Sequence, residues 1–190
     1  MKSFKLFLMN NFEKVTIRQI ERESGFTRRT LYRHFGGKEN LFIAVCDRFI
    51  LQAQDIEVKI SAVDDWNNFH GFIMRYIAGI NVVMGKMFEL GIVNIYKHYF
   101  FLIMQANLHY PDFMDKVAEL NRKEYQKWEA ELSKAIKTKE IRKDIDVKST
   151  VLQFRYVFLG MSFEKSLAYG LDVELLLNTY MNIYNQIKLS

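Results

Sequence analysis

The chain has a single cysteine, Cys46, a single proline, Pro111, and only nine glycines in 190 residues. One thiol cannot close an internal disulfide, which excludes a secreted disulfide scaffold. So few breakers leave too little turn chemistry for a β-sandwich. Long apolar runs are missing too. The most hydrophobic region, 76–104, is interrupted by Lys86, Glu89 and Lys97, and a membrane-spanning helix needs ~18 apolar residues in a row. The start, Met1-Lys2-Ser3-Phe4-Lys5, leads into a short apolar patch that ends at Asn10-Asn11 without a small-residue cleavage site. No secretory signal is read there, and a cytoplasmic protein without membrane contact is expected.

What is present is ordinary for a globular protein: 49% hydrophobic and 26% charged residues. The abundance of Leu, Ile, Met, Glu and Lys predicts an all-α chain. The net charge is +5, and its distribution is uneven. Residues 1–48 hold ten basic and five acidic residues; residues 49–190 hold 17 of each. A small basic module suited to a polyanion, joined to a neutral one, is the reading this asymmetry suggests. It predicts a first domain over 1–48 and a second over 49–190.

Within the first 48 residues, Phe4, Phe7 and Leu8 recur at helical spacing, and Asn11 in the left-handed conformation would stop that helix. Thr16 with Gln19 reads as a capping box opening a second helix. Gly25 breaks it, Thr27 opens a third helix, Gly36-Gly37 ends that one, and Lys38 begins a fourth. Two short helices joined by a tight glycine turn make a helix-turn-helix. At about 100° per residue, Leu31, Phe35 and Thr27 fall on one face. Arg29 and Arg33 then lie opposite, with Arg28 and Tyr32 flanking one side and Thr30 and His34 the other. Arginine can pair with guanine edges, and Tyr, Thr, His and Lys suit phosphate oxygens.

Three segments, Val15-Thr-Ile-Arg-Gln-Ile20, Ser24-Gly-Phe-Thr-Arg-Arg-Thr-Leu-Tyr-Arg-His-Phe35 and Lys38-Glu-Asn-Leu41, resemble the DNA-binding domain of the TetR family of transcriptional regulators. The resemblance covers about the first 50 residues. It implies an all-helical, two-domain homodimer, usually a repressor relieved by a small ligand. By matching position, it places Arg28, Arg29, Thr30 and Arg33 in the major groove and Thr16, Thr27, Tyr32, His34 and Lys38 on phosphates. Glu21 stands where the family usually has Ala, and almost no basic arm precedes the first helix.

Beyond residue 48 the periodicity predicts a linking helix to about Glu57, then one or two helices over 64–90 from apolar steps that start at Trp66, and further helices over 92–108, 111–137, 147–169 and 172–188, making about nine in all. A helical domain rich in aromatics and Met can build a mouldable apolar pocket; plain core packing explains most such residues, and only a minority are assigned to a ligand. The pocket candidates are Phe69, Ile73, Tyr76, Met84, Met87, Phe88, Tyr96, Tyr99, Phe100, Met104 and Trp128, with Arg75, Asn81, His98 and His109 as orienting groups. They predict a small hydrophobic or aromatic effector. Apolar residues cover more than one face of the last two helices, which implies a second partner, most simply another copy of the chain. Phe158, Met161, Leu177, Tyr180, Met181 and Tyr184 are the candidates for that homodimer interface.

His70, His98 and His109 lack metal-ligand spacing on any one helix. No nucleophile stands with a base, and no phosphate loop is visible. Neither an enzyme, a metal site nor a cofactor is expected. The leading reading is a one-component regulator binding double-stranded operator DNA. The second is a helical ligand- or partner-binding protein whose DNA module has lost affinity.

Overall fold

A computed structural model of the chain describes residues 1–61, 67–168 and 170–189; Trp66 and Tyr169 lie outside them. The described residues form ten helices. The first three are α1 Lys2–Met9, α2 Ile17–Ser24 and α3 Arg28–Phe35. Helix α4 is one rod over 38–54, with a π-helical turn at Asp47–Leu51 in its middle. Then come α5 Ile56–Ile60, α6 Phe69–Phe88, α7 Ile95–His109, α8 Phe113–Lys137, α9 Val147–Ser166 and α10 Val173–Ile187.

The helix beyond the expected nine arises at Asp55. Its extended backbone breaks the rod begun at Lys38, and its carboxylate accepts the Glu57 N–H at 2.9 Å, starting α5 afresh. Asn11 does not stop α1 by a left-handed turn. Both Asn10 and Asn11 are extended; Asn10 Nδ2 donates to the Leu6 carbonyl at 2.9 Å, and Asn11 Oδ1 accepts from the Glu13 N–H at 2.8 Å. Asparagine side chains compete with helical hydrogen bonds by such local contacts.

Two apolar clusters hold the chain together. The first joins α1 to α4 with Ile95, Tyr99, Leu102 and Ala106 of α7 and with Tyr110 just after it. The basic module is therefore packed directly on a helix of the larger one. The second cluster surrounds Trp128 of α8, whose ring meets those of Phe69, Phe72, Tyr76, Phe154 and Tyr180 at 4.8–6.0 Å. Buried aromatic pairs contribute about 0.5–1.5 kcal/mol each beyond area burial, so this cluster locks α6, α8, α9 and α10 into one body. No helix among the described residues is long and apolar enough to cross a membrane.

Candidate DNA-binding surface and ligand cavity

The ends of α2 and α3 fix the turn between them. The Gln19 N–H donates to Thr16 Oγ1 at 3.2 Å while the Thr16 N–H donates to Gln19 Oε1 at 2.8 Å, a reciprocal cap. Gly25 closes α2 at φ +81°, where a residue with a Cβ is strained by roughly 1–2 kcal/mol. Thr27 Oγ1 then accepts from the Thr30 N–H at 3.1 Å and starts α3.

Capping turns Thr27 outward. It is exposed, not on the core face where the wheel puts it. The wheel carries helical rotation onto a residue whose backbone is extended. Phe26 fills the inner place instead, its ring 6.1 Å from that of Phe35. Leu31 is fully buried, whereas Arg28, Arg29, Tyr32, Arg33 and His34 are exposed and Thr30 is half-buried. Arg28, Arg29 and Arg33 form no ion pair among the described residues. The outer face of α3 is thus a cationic ridge beside a tight turn, with exposed Thr16 close by in sequence at the start of α2.

Two charged residues of this module are engaged internally. Glu21 Oε1 accepts the Arg28 N–H at 2.5 Å, placing a carboxylate on the positive end of α3 and bracing the turn. Lys38 is half-buried; its Nζ donates to the Phe12 carbonyl at 3.0 Å and sits 4.2 Å from the Phe12 ring centre. An ammonium in that position ties α4 to the turn after α1.

A cavity of about 270 Å³ lies in the larger module, walled by α4 to α9. Met84, Met87, Tyr96, Tyr99 and Phe100 line it. Phe69, Ile73, Tyr76 and Trp128, also expected there, do not: they fill the second core, at most 1% exposed. Phe88 and Met104 point to solvent. Helical spacing puts all these residues on apolar faces, and only the packing of several helices decides which faces leave a gap.

The cavity's polar groups are also not the expected ones. Arg75 donates to the Ile60 carbonyl, and neither it nor Asn81, His98 or His109 lines the space. Lys59, Asn121, Glu124 and Arg155 do. Lys59 Nζ lies 3.3 Å from Glu124 Oε2, and both residues are buried. Glu124 Oε1 accepts the Tyr76 hydroxyl at 2.6 Å. Burial pushes the Lys59 ammonium below its usual value, against the pull of Glu124. Burial, with the Glu124 charge adding, holds the Tyr76 and Tyr180 hydroxyls well above theirs. Lys59 reaches this position because Gly79 lets α5 lie against α6; a Cβ there would stand 1.8 Å from the Lys59 carbonyl oxygen. Cys46 is buried, its thiol pushed up to about 12 by burial and then by Asp47, so it packs as a small hydrophobe.

Helix α7 connects the cavity to the basic module. One side presents Tyr96, Tyr99 and Phe100 to the cavity. The other holds the turn after α1: Gln105 is buried, its Oε1 accepts the Phe12 N–H, and its Nε2 donates to the Asn10 carbonyl at 3.5 Å. The His109 ring lies 4.6 Å from that of Phe12. Sequence reasoning missed Gln105 because one Gln in an apolar helix carries no periodic signal.

The candidate interface residues are mostly turned inward. Tyr180 is fully buried and donates to the Phe154 carbonyl at 2.7 Å; Tyr184 donates to Glu140 at 3.2 Å; Phe158 lines the cavity. Met161, Leu177 and Met181 are half-buried against the second core. The open apolar stripe is Tyr156, Leu159, Phe163 and Leu167 on α9 and its end, with Leu175 on α10. Phe154 and Tyr180 are drawn to the Trp128 cluster, and their faces of the two helices go with them, leaving this stripe outside.

The helix-turn-helix, its cationic ridge and the attached helical module define a DNA-binding regulator fold. Residues 2–45 match the family described as bacterial regulatory proteins, tetR family. The whole chain is similar in structure to a TetR-family transcriptional regulator from Cytophaga hutchinsonii: 15% identity over 100% of this chain and 92% of the other, TM-score 0.66. It is similar also to the ketosteroid transcriptional regulator KstR2 of Mycobacterium tuberculosis: 17% identity over 100% and 92%, TM-score 0.60. No curated protein matches the chain by sequence. The family match thus covers the helix-turn-helix module, and the chain as a whole shares its fold with these solved regulators.

Proposed function

We propose that the protein is a one-component, non-enzymatic cytoplasmic repressor that binds a near-palindromic operator as a homodimer and leaves it when a small hydrophobic ligand enters the cavity. Residues 1–48 serve as the DNA-binding domain and residues 49–190 as the ligand-binding and dimerisation domain. Arg28, Arg29, Thr30 and Arg33 meet base edges in the major groove; Thr16, Thr27, Tyr32 and His34 meet phosphates. Lys38 contributes its charge from its seat on Phe12. The stripe Tyr156, Leu159, Phe163, Leu167 and Leu175 supplies the dimer contact, with Met161 beside it.

The observation that carries this reading is the double role of α7, which lines the cavity and holds the Asn10–Phe12 turn through Gln105. A ligand that shifts α7 moves the basic module with it, and in a dimer that changes the spacing of the two recognition helices. The ligand must favour the mis-spaced state for this to work.

Selection from a random double-stranded DNA library with the purified protein tests the reading. The expected result is two inverted half-sites about one helical turn, or a multiple of it, apart. Absence of any enriched motif at low salt would overturn it and favour the ligand-module alternative.

A further inference from the structure

The cavity's charge balance constrains what it takes. Among the described residues its lining holds three formal charges: Lys59, Glu124 and Arg155. Glu124 is fully used, one oxygen by Lys59 and the other by the Tyr76 hydroxyl. The cation left over is Arg155. Arg155 is half-buried: its Nη2 reaches the solvent-facing rim of the cavity and donates to Asn121 Oδ1 at 3.0 Å, and Asn121 stands one turn from Glu124 on α8. Its Nε is buried with no partner among the described residues. An amide oxygen does not neutralise a guanidinium, and the buried Nε–H without an acceptor is costly. The Tyr96 hydroxyl, on the same lining, is likewise buried and unpartnered. Ile80, Val83, Met84, Met87, Phe100 and Ile103 make much of the remaining wall apolar.

We infer that the effector is an amphipathic organic acid, its apolar body in the Met84–Ile103 part of the cavity and its carboxylate on Arg155 beside Lys59. Arginine suits this task because its N–H fork matches a carboxylate. The acid supplies the missing negative charge where Arg155 and Lys59 converge, and it favours the charged form of Lys59 that burial otherwise opposes. The volume of about 270 Å³ lies at the lower edge of the roughly 300–1,000 Å³ typical of ligand sites, so the body is of medium length. This inference rests on the cavity being the effector site, and the experiment separates the two.

Calorimetric titration of the full chain with decanoate, decan-1-ol and decylamine supplies the test. Decanoate is expected to bind at least about tenfold more tightly than the alcohol, as a charge-assisted hydrogen bond provides, and the amine not at all. Arg155→Gln should remove the preference for the acid, bringing its affinity down to about that of the alcohol; Arg155→Lys should restore part of the preference. Met84→Trp, which fills the cavity, should abolish binding of both. Equal or tighter binding of the alcohol by the wild-type protein, lost in Met84→Trp, would overturn the acid and leave the cavity reading standing. Acid preference that survives Arg155→Gln would overturn the assignment to Arg155. Binding of the acid that survives Met84→Trp would overturn the cavity itself as its site. The wild-type comparison needs no variant to fold.

Discussion

Glu124→Gln isolates the charge of the buried pair at the polar end of the cavity. The amide keeps the volume and an acceptor for the Tyr76 hydroxyl, which donates to Glu124 at 2.6 Å. What disappears is the negative charge 3.3 Å from Lys59, whose side chain is 3% exposed. Breaking a buried pair by removing one partner costs about 3–5 kcal/mol, because the other charge is left uncompensated. The retained acceptor puts this variant near the lower figure. For a chain of this size, about 3 kcal/mol lowers the Tm by roughly 6–12 °C.

The loss should also depend on pH, with a definite sign. Burial already holds the Lys59 pKa below the usual lysine value, and removing Glu124 lowers it further. A base with a depressed folded-state pKa binds fewer protons folded than unfolded, so stability rises with pH between the two values. The deficit of Glu124→Gln is therefore large at neutral pH and shrinks as pH climbs toward about 10.4, the unfolded value of lysine. Lys59→Met combined with Glu124→Gln should recover most of the stability, since no charge remains to bury. Urea titrations followed by circular dichroism, at one protein concentration and from pH 7 to pH 10, measure both variants and the wild type. A Glu124→Gln protein within about 0.5 kcal/mol of wild type at pH 7, or a double variant less stable than the single one, refutes the reasoning.

Replacing Tyr156 and Phe163 together by Glu should give a folded monomer in sedimentation, because both side chains are exposed in the single chain; a dimer that persists would move the interface elsewhere. Tyr180→Phe should remain dimeric and lose only about 1 kcal/mol, the worth of its bond to the Phe154 carbonyl. Arg33→Ala should cost roughly 1–3 kcal/mol of operator binding per half-site and relax sequence preference without changing the melt. Lys38→Ala should weaken all DNA alike and also lower stability by about 1 kcal/mol through the lost Phe12 bond; a melt identical to wild type would show that bond to be idle. Gln105→Leu leaves the Phe12 N–H without its acceptor, which costs about 1–3 kcal/mol. If α7 transmits the ligand signal, gel shifts should show that ligand no longer releases DNA from this variant; undiminished release would disprove the route.

The all-helical class, the helix-turn-helix and most of its caps were legible in the sequence, because each rests on interactions within a few residues. Thr16 with Gln19, Gly25 after α2 and Leu31 with outward Arg29 and Arg33 are set by local geometry and a 3.6-residue period. Where local rules compete, the reading slipped: Thr27 left the core face to cap α3, and Asp55 broke a rod that apolar spacing would have continued. The sequence could name candidate apolar residues but not sort them. Trp128 and Tyr76 became core, Met84 and Tyr99 became cavity wall, and Phe163 became surface only once five helices met at fixed angles. The polar cluster was hidden for the same reason. Lys59 and Glu124 stand 65 positions apart, each looking like an ordinary solvated charge, and their pairing depends on the close approach that Gly79 permits. Periodicity shows which side of a helix is apolar; which neighbour that side meets, and where a gap is left, is decided by non-local packing that a single sequence does not encode in any local pattern.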